Sequence, residues 1–356
     1  MTTRDRCTNC ILPRTFPGVS FDHSGACDLC SSYTPPPPPL GKEALLEAIL
    51  AGKGASFDCV VPISGGKDSS YALYYAVKEL GVRAIAVNYD SGFQSDQAVR
   101  NIKNACQILG VPLRIYTADF PRRRALIGEV IRIAQICGIP CGVCGNCETN
   151  IRTVSIQVAK TYGLRTILFG DSQAENVGSP TFAGLRGVVS RTSGLDLLRL
   201  SIPVVKYAAI AARERGSLGV PARYAYTPSM TPVPFPAKRV NVVHLFDYIR
   251  WEMIEKVAVL ARELGWGAGD DKIDRFDCLL HPLDNFKWLK AAGITKDGFV
   301  YCNWIRSGTI TREKALAMEE RLEKTIQHEC VEFVRRFGLA AQGLDWLELD
   351  PAQIGG

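Results

Sequence analysis

Residues 58–70 read DCVVPISGGKDSS, and the reading of this stretch decides the fold. Residues 59–63 form an apolar, β-branched run bounded by turn formers, the pattern of a strand buried on both faces of a parallel sheet. The run ends in Ser64-Gly65-Gly66-Lys67-Asp68-Ser69-Ser70, and residues 71–80 then carry apolar side chains at helical spacing up to Gly81. A strand, a tight glycine turn and a helix N-terminus together make an anion site. The glycines allow close backbone approach, successive N–H groups point outward, and the helix dipole favours negative charge. Lys67 adds a positive charge, and Ser64, Ser69 and Ser70 add hydroxyl donors. Adjacent glycines and an aspartate after the lysine separate this loop from the mononucleotide pattern G-x-x-x-x-G-K-[ST].

Strands and helices alternate after the loop. The pattern predicts strands over 83–89, 111–117 and 166–169, with helices over 96–109, 125–135 and 150–162. Such alternation specifies an α/β fold with a parallel, Rossmann-like sheet covered by helices on both faces. Ligands of these sheets bind beyond the carboxyl ends of the strands. Three polar loops converge there: Ser64 to Ser70, Asn88 with Asp90 and Ser91, and Gly170-Asp171. They are read as a nucleotide pocket, with Asp90 and Asp171 as either ligand-facing carboxylates or loop caps. From 179 to 236 proline and glycine are frequent and regular patterning fades, consistent with a substrate flap or an oligomer contact. Residues 246–264 and 312–337 are amphipathic, so the last third is expected to be mostly helical.

The chain has 356 residues, 47% hydrophobic and 22% charged, the composition of a globular protein with more than one core. No apolar run is long enough for a membrane span, and the polar residues 1–6 do not open a secretory signal, so a cytoplasmic location is expected. The net charge of +6 suits anionic ligands such as nucleotides better than a dedicated nucleic-acid binder. Arg122-Arg123-Arg124 follows Pro121 and reads as a solvated helix end in preference to a phosphate contact.

Eight of the 13 cysteines fall in two clusters. Cys7-x2-Cys10 and Cys27-x2-Cys30 have the spacing of a zinc ribbon, in which four thiolates close a tetrahedral structural Zn²⁺ site. The five-proline run at 35–39 marks a stiff linker, and 43–50 a short helix. The expected organisation is a zinc ribbon over 1–34, a linker and helix over 35–56, a nucleotide domain over 57–200, and an irregular then helical region over 201–356. The second cluster, Cys137 to Cys147, contains Cys141-x2-Cys144-x2-Cys147. This spacing suits an iron–sulfur cluster of the [4Fe-4S] type with one iron open, or a second zinc with Cys137, Cys278 or Cys302 as fourth ligand, or buried thiols in a glycine-rich turn.

Ser64-Gly65-Gly66-Lys67-Asp68-Ser69 resembles the S-G-G-x-D-S loop of the PP-loop ATP pyrophosphatases. The resemblance implies cleavage of ATP between the α- and β-phosphates with Mg²⁺. It assigns catalytic roles to Lys67, Asp68, Ser69 and Asp171, and nucleotide contacts to Ser64 to Ser70, Asn88, Asp90, Ser91 and Gly170. Further blocks resemble the N-acetyl sugar amidotransferases of surface polysaccharide biosynthesis: residues 7–13, Phe21-Asp22, 25–30, Trp251-Glu252, 271–274 and Ile305-Arg306-Ser307-Gly308-Thr309-Ile310-Thr311-Arg312-Glu313-Lys314-Ala315-Leu316. This resemblance implies conversion of an acetamido group on a nucleotide-linked sugar into an acetamidino group, with ammonia from a separate glutaminase. A homo-oligomer is expected. Arg306 and Arg312 are candidates for an anionic substrate or for salt bridges, and Thr311 for a helix cap. The second cysteine cluster sits where PP-loop enzymes that thiolate transfer RNA carry a C-x-x-C. That resemblance implies a sulfurtransferase as the alternative, and only there is nucleic acid expected as a partner.

Overall fold

The computed structural model describes residues 5–35, 37–137, 144–171, 202, 204–213, 240–250, 253–267 and 277–339. At its centre is a five-stranded sheet in the order β3-β2-β1-β4-β5. The strands are β1 Cys59–Pro62, β2 Ala84–Asp90, β3 Leu113–Thr117, β4 Thr166–Phe169 and β5 Asn241–His244. Every pairing is parallel, with Val60 opposite both Ile85 and Ile167, and Phe169 opposite His244. β1 is buried along its whole length, as its unbroken apolar run requires.

Alternate residues feed two cores. Val61, Ile63, Ala86 and Leu168 face helices α2 Lys42–Leu50, α3 Lys67–Tyr74 and α4 Asp96–Leu109. Val60, Ile85, Val87 and Ile167 face α6 Cys144–Thr161, which follows α5 Phe120–Cys137. Each buried Val, Leu or Ile side chain among them contributes about 1.5–3 kcal/mol. The first two crossovers lie on one face and α6 on the other, so the connection direction reverses between β1 and β4. The loop after β1 therefore opens at the switch point of the sheet, where ligands of open parallel sheets bind.

Two boundaries differ from the sequence reading. The helix after the glycine loop starts at Lys67, because Gly66 takes the extended N-cap geometry, and it passes into a π-helical turn at Tyr75–Glu79. The helix expected over 246–264 begins only at Met253 (α7, Met253–Leu264), because Asn241–His244 is claimed as β5 and Leu245–Asp247 forms a 3₁₀ turn. Pairing with β5 satisfies the free backbone edge of β4, which helical geometry at these residues would leave open. The sheet thus takes a strand from beyond residue 200.

The last third is helical among the described residues, with α8 His281–Ala292, α9 Lys296–Arg306 and α10 Arg312–Arg336. Phe93, from the loop after β2, is fully buried against Phe120, Phe333 and Phe337, joining these helices to the sheet. Residues 5–35, including the short helix α1 Asp28–Ser31, pack directly on the helical layer. Ile11, Leu12 and Phe16 are buried with Trp288, Phe299 and Tyr301, and Phe16 stacks on Phe299 at 5.6 Å. No helix among the described residues is long and apolar enough to cross a membrane.

The helical layer also buries charge. Asp284 and Lys287 are both fully buried 3.0 Å apart, and Lys296 reaches Asp284 at 2.7 Å. Nearby, the Glu319 carboxylate accepts the Thr295 N–H at 2.8 Å and its hydroxyl at 2.6 Å. Burial pushes Glu319 up to about 7, against the opposing bonds from Thr295. Its folded value lies above the unfolded one, so its stabilising contribution is complete below the unfolded value and is lost as pH rises through about 7. Glu319→Gln carries no such proton. Melting curves from about pH 5 to 8 should show the wild type losing ground to the variant as pH rises; a difference that stays constant with pH would refute the assignment.

Candidate functional site

The loop is tied to itself and to three distant segments. The Ser64 N–H donates to Ser69 Oγ at 3.1 Å, the Gly66 N–H to Ser64 Oγ at 3.3 Å, and Ser69 Oγ to the Gly66 carbonyl at 3.2 Å. The Gly65 carbonyl accepts from Asn101 Nδ2 at 3.1 Å and from the Trp266 indole N–H at 3.0 Å. Ser64 Oγ donates to Asp277 Oδ2 at 2.9 Å. These contacts hold Gly65 at φ +84°, with its α-carbon against the backbone of α4. A β-carbon there would lie 2.3 Å from the Ala98 carbonyl oxygen.

Backbone cannot yield as a flexible side chain does. Gly65→Ala combines positive-φ strain of about 1–2 kcal/mol with overpacking of about 1–3 kcal/mol. We expect a loss of about 3 kcal/mol in chemical denaturation together with loss of nucleotide binding. Retention of both would show that the turn is not held as described.

The loop delivers the N-terminus of α3 to the carboxyl edge of the sheet. Helix geometry gives first-turn amides no intrahelical carbonyl four residues back, which is the general basis of anion binding at helix N-termini. Lys67 is mostly buried, with its ammonium 3.3 Å from Asp68 Oδ2. Ser70 is fully buried, and its Oγ has no hydrogen-bond partner among the described residues. Gly170, at the end of β4, packs so close that a β-carbon would meet the Asp68 carbonyl oxygen at 2.3 Å. The structure therefore brings Ser64 to Ser70 and Gly170 into one site.

The other residues expected in the pocket are placed as follows. Asn88 is buried and donates to the Ile63 carbonyl at 2.8 Å, bracing β2 against the strand that carries the loop. Asp90 Oδ1 accepts the Gly92 N–H at 2.9 Å, and Ser91 Oγ accepts the Phe93 N–H at 3.4 Å, so both shape the turn after β2. Asp171 Oδ1 lies 2.6 Å from His244 Nδ1 at the end of β5, and the His244 ring stacks on Phe169. Cys59, in β1 below the loop, is fully buried, and burial pushes its thiol up to about 12.

Asn101, His244, Trp266 and Asp277 were not found by sequence reasoning. Each comes from a segment distant from the loop and belongs to no glycine or cysteine pattern. The only available signal was the pairing of a short apolar run at 241–244 with a terminal histidine.

The arginine run after Pro121 is not a solvated helix end. Arg122 pairs with Asp119 and Arg124 donates to the Gly338 carbonyl, but Arg123 is fully buried. It donates to Asn146 Oδ1 and, at 2.7 Å, to Cys147 Sγ. Asn150 Nδ2 donates to the Tyr89 hydroxyl at 2.9 Å and to Asn146 Oδ1 at 3.2 Å, extending this network to the end of β2. The structure buries Arg123 because Asn146 and the Cys147 sulfur replace the water it would otherwise need. Cys144 opens α6, whereas Cys141 lies outside the described residues, as do Trp251-Glu252, residues 271–274 and most of 179–236.

Cys7, Cys10, Cys27 and Cys30 bring their sulfurs within 4.8 Å of one another. The Cys7–Cys30 and Cys10–Cys27 sulfur pairs are 3.9 and 3.8 Å apart. A regular tetrahedron with metal–sulfur bonds of about 2.3 Å has edges of about 3.8 Å, so the four sulfurs fit such an ion. The Cys10 and Cys27 N–H groups donate to Cys7 Sγ at 3.4 and 3.2 Å. These cysteines could hold a metal ion as a closed site with no position left for substrate. Arg306 and Arg312 are not at the glycine loop. Both lie on this cysteine centre, and Cys302 is buried in the same core.

Fold and site together define a class: a parallel α/β protein with a glycine-turn anion loop at the sheet's switch point and a tetracysteine centre on its helical layer. No protein-family model matches the chain. An uncharacterized protein of Methanocaldococcus jannaschii is 24% identical over 170 residues, which is 46% of this chain and 58% of that protein. The match thus spans little more than half of the relative's length. The solved structure of an NMN synthetase from Francisella tularensis aligns over 81% of this chain and 93% of its own, with 14% identity and a TM-score of 0.38.

Proposed function

We propose that this chain is a PP-loop ATP pyrophosphatase acting as an amidotransferase. ATP adenylates the amide oxygen of an N-acetyl group on a nucleotide-linked sugar, and pyrophosphate leaves. Ammonia then adds to the activated carbon, AMP departs with the former amide oxygen, and loss of a proton leaves an acetamidino group. The observation that carries this reading is the Gly65-Gly66 turn, packed on the α4 backbone, with α3 starting at Lys67 directly after it. That arrangement stabilises the charge of a departing pyrophosphate.

Amide oxygen is a poor leaving group, and adenylation removes the difficulty. Asp68 and Asp277 are the carboxylates beside the loop that would hold Mg²⁺, which supplies charge neutralisation to the phosphates. His244, oriented through Nδ1 by Asp171, accepts the proton released by the attacking ammonia. The sugar substrate, the separate glutaminase and a homo-oligomeric assembly rest on the resemblance of residues 7–30 and 305–316. The contact between these two blocks supports reading them as one unit.

The test is incubation with ATP, Mg²⁺, an ammonium salt and nucleotide-linked N-acetyl sugars. The expected products are AMP, pyrophosphate and a sugar in which NH has replaced the acetamido oxygen, read by mass spectrometry. ADP with free phosphate, or AMP formation indifferent to the sugar, would overturn the reading.

One observation favours a second reading, a sulfurtransferase with a cluster at Cys141, Cys144 and Cys147. Cys147 sits against buried Arg123 in a network that reaches the carboxyl end of β2. Iron and sulfide in anaerobically purified protein, with absorbance near ~400 nm, would give it precedence.

A further inference from the structure

The sequence block 305–316 meets the N-terminal cysteines across almost the whole chain. The Arg306 guanidinium donates from Nε to Cys30 Sγ at 3.4 Å, and from Nη2 to Cys10 Sγ at 3.6 Å and Cys27 Sγ at 4.0 Å. Its third nitrogen, Nη1, donates to Asn303 Oδ1 one turn back on α9, which fixes the fork. Gly308 reverses the chain at φ +74°, and Thr311 caps α10 by accepting the Lys314 N–H at 3.2 Å. Arg312 is thereby aimed back at the same centre. Its Nε donates to the Cys10 carbonyl at 2.9 Å and its Nη2 to the Cys7 carbonyl at 3.0 Å.

A divalent ion bound by four thiolates carries surplus negative charge, and burying that charge is costly without a compensating cation. The only charged fork placed on these sulfurs, among the described residues, is Arg306. A guanidinium suits the role because its planar donors reach several sulfurs at once, which a lysine ammonium on a flexible stem does not reproduce. We propose that Arg306 is an outer-sphere ligand of the metal held by Cys7, Cys10, Cys27 and Cys30, and that metal occupancy thereby locks α9 and α10 to the N-terminal knuckle. The ion is a staple between residues 5–35 and the helices α9 and α10 rather than a support for the knuckle alone. Closing so long a loop through one site places the binding energy of the metal into the tertiary contact between them.

The experiment uses the full chain. Zinc affinity is measured by competition with a chromophoric chelator for the wild type, Arg306→Met and Arg306→Lys. The expected result is a 10–100-fold weakening for Arg306→Met, the range for outer-sphere partners, with Arg306→Lys in between. Wild-type zinc affinity in Arg306→Met would overturn the proposal. Hydrogen exchange on the wild type, before and after zinc removal, tests the staple without relying on any variant. Faster exchange in residues 296–336 as well as 5–35 is expected. Faster exchange confined to 5–35 would show that the metal holds only its own knuckle.

Discussion

Lys67→Ala and Asp68→Ala should each lower pyrophosphate release by about 10²–10³-fold, the cost of removing one preorganised group from a site of developing charge. The thermal melt should barely move. Lys67 and Asp68 contact each other at 3.3 Å at the mouth of the loop, and Asp68 is about a third exposed. A partly solvated pair of this kind contributes little to folding. The turn itself is held by Ser64, Ser69, Asn101 and Trp266, none of which these substitutions touch. Loss of activity with retained stability therefore separates a catalytic loop from a merely structural one. If both variants release pyrophosphate at the wild-type rate, the loop is not the active site.

Asp284→Ala should cost about 3–5 kcal/mol in denaturant unfolding, the usual penalty for stranding one member of a buried ion pair. Burial alone would push the Asp284 carboxyl up, but Lys287 and Lys296 outweigh it and hold the group far below the ordinary carboxylate range. Its folded value is depressed, so the stabilising contribution is present at neutral pH and is lost as pH falls below the unfolded value near 3.8. In the variant, Lys287 remains fully buried with its carboxylate partner removed. The gap between wild type and variant should be widest at neutral pH and should close in acid. Joint replacement by apolar residues of similar size, Asp284→Leu with Lys287→Met, should restore much of the loss. A gap under about 1 kcal/mol for Asp284→Ala would mean that the layer admits water to this lysine.

Local signals carried most of the sheet into view. The runs at 59–63, 83–89 and 166–169 are short, apolar and β-branched, and each is followed by a turn former, so strand and loop are readable without knowledge of any partner. The cysteine centre was legible for the same reason, since two C-x2-C knuckles declare their geometry within a few residues. What remained hidden depends on distant pairing. Asn241–His244 becomes a strand because β4 offers it an open edge, not because four residues specify one. Trp266 and Asp277 reach the glycine loop only through the fold of later segments, and no spacing announces them. Arg123 looked solvent-facing in a run of three arginines, yet it is buried, and its partners Asn146 and Cys147 lie a full helix away. Arg306 and Arg312 were visible as residues of interest. Their target was not, because it lies at the other end of the chain.

That separation has a consequence for synthesis on the ribosome. The Cys7 carbonyl and the Arg312 guanidinium that binds it are 305 residues apart. At roughly 5–20 residues per second, roughly 15–60 s pass between their emergence. Throughout most of that interval Ile11, Leu12 and Phe16 await Trp288, Phe299 and Tyr301, which are translated much later. Residues 5–35 therefore emerge with an apolar face whose cover has not yet been made.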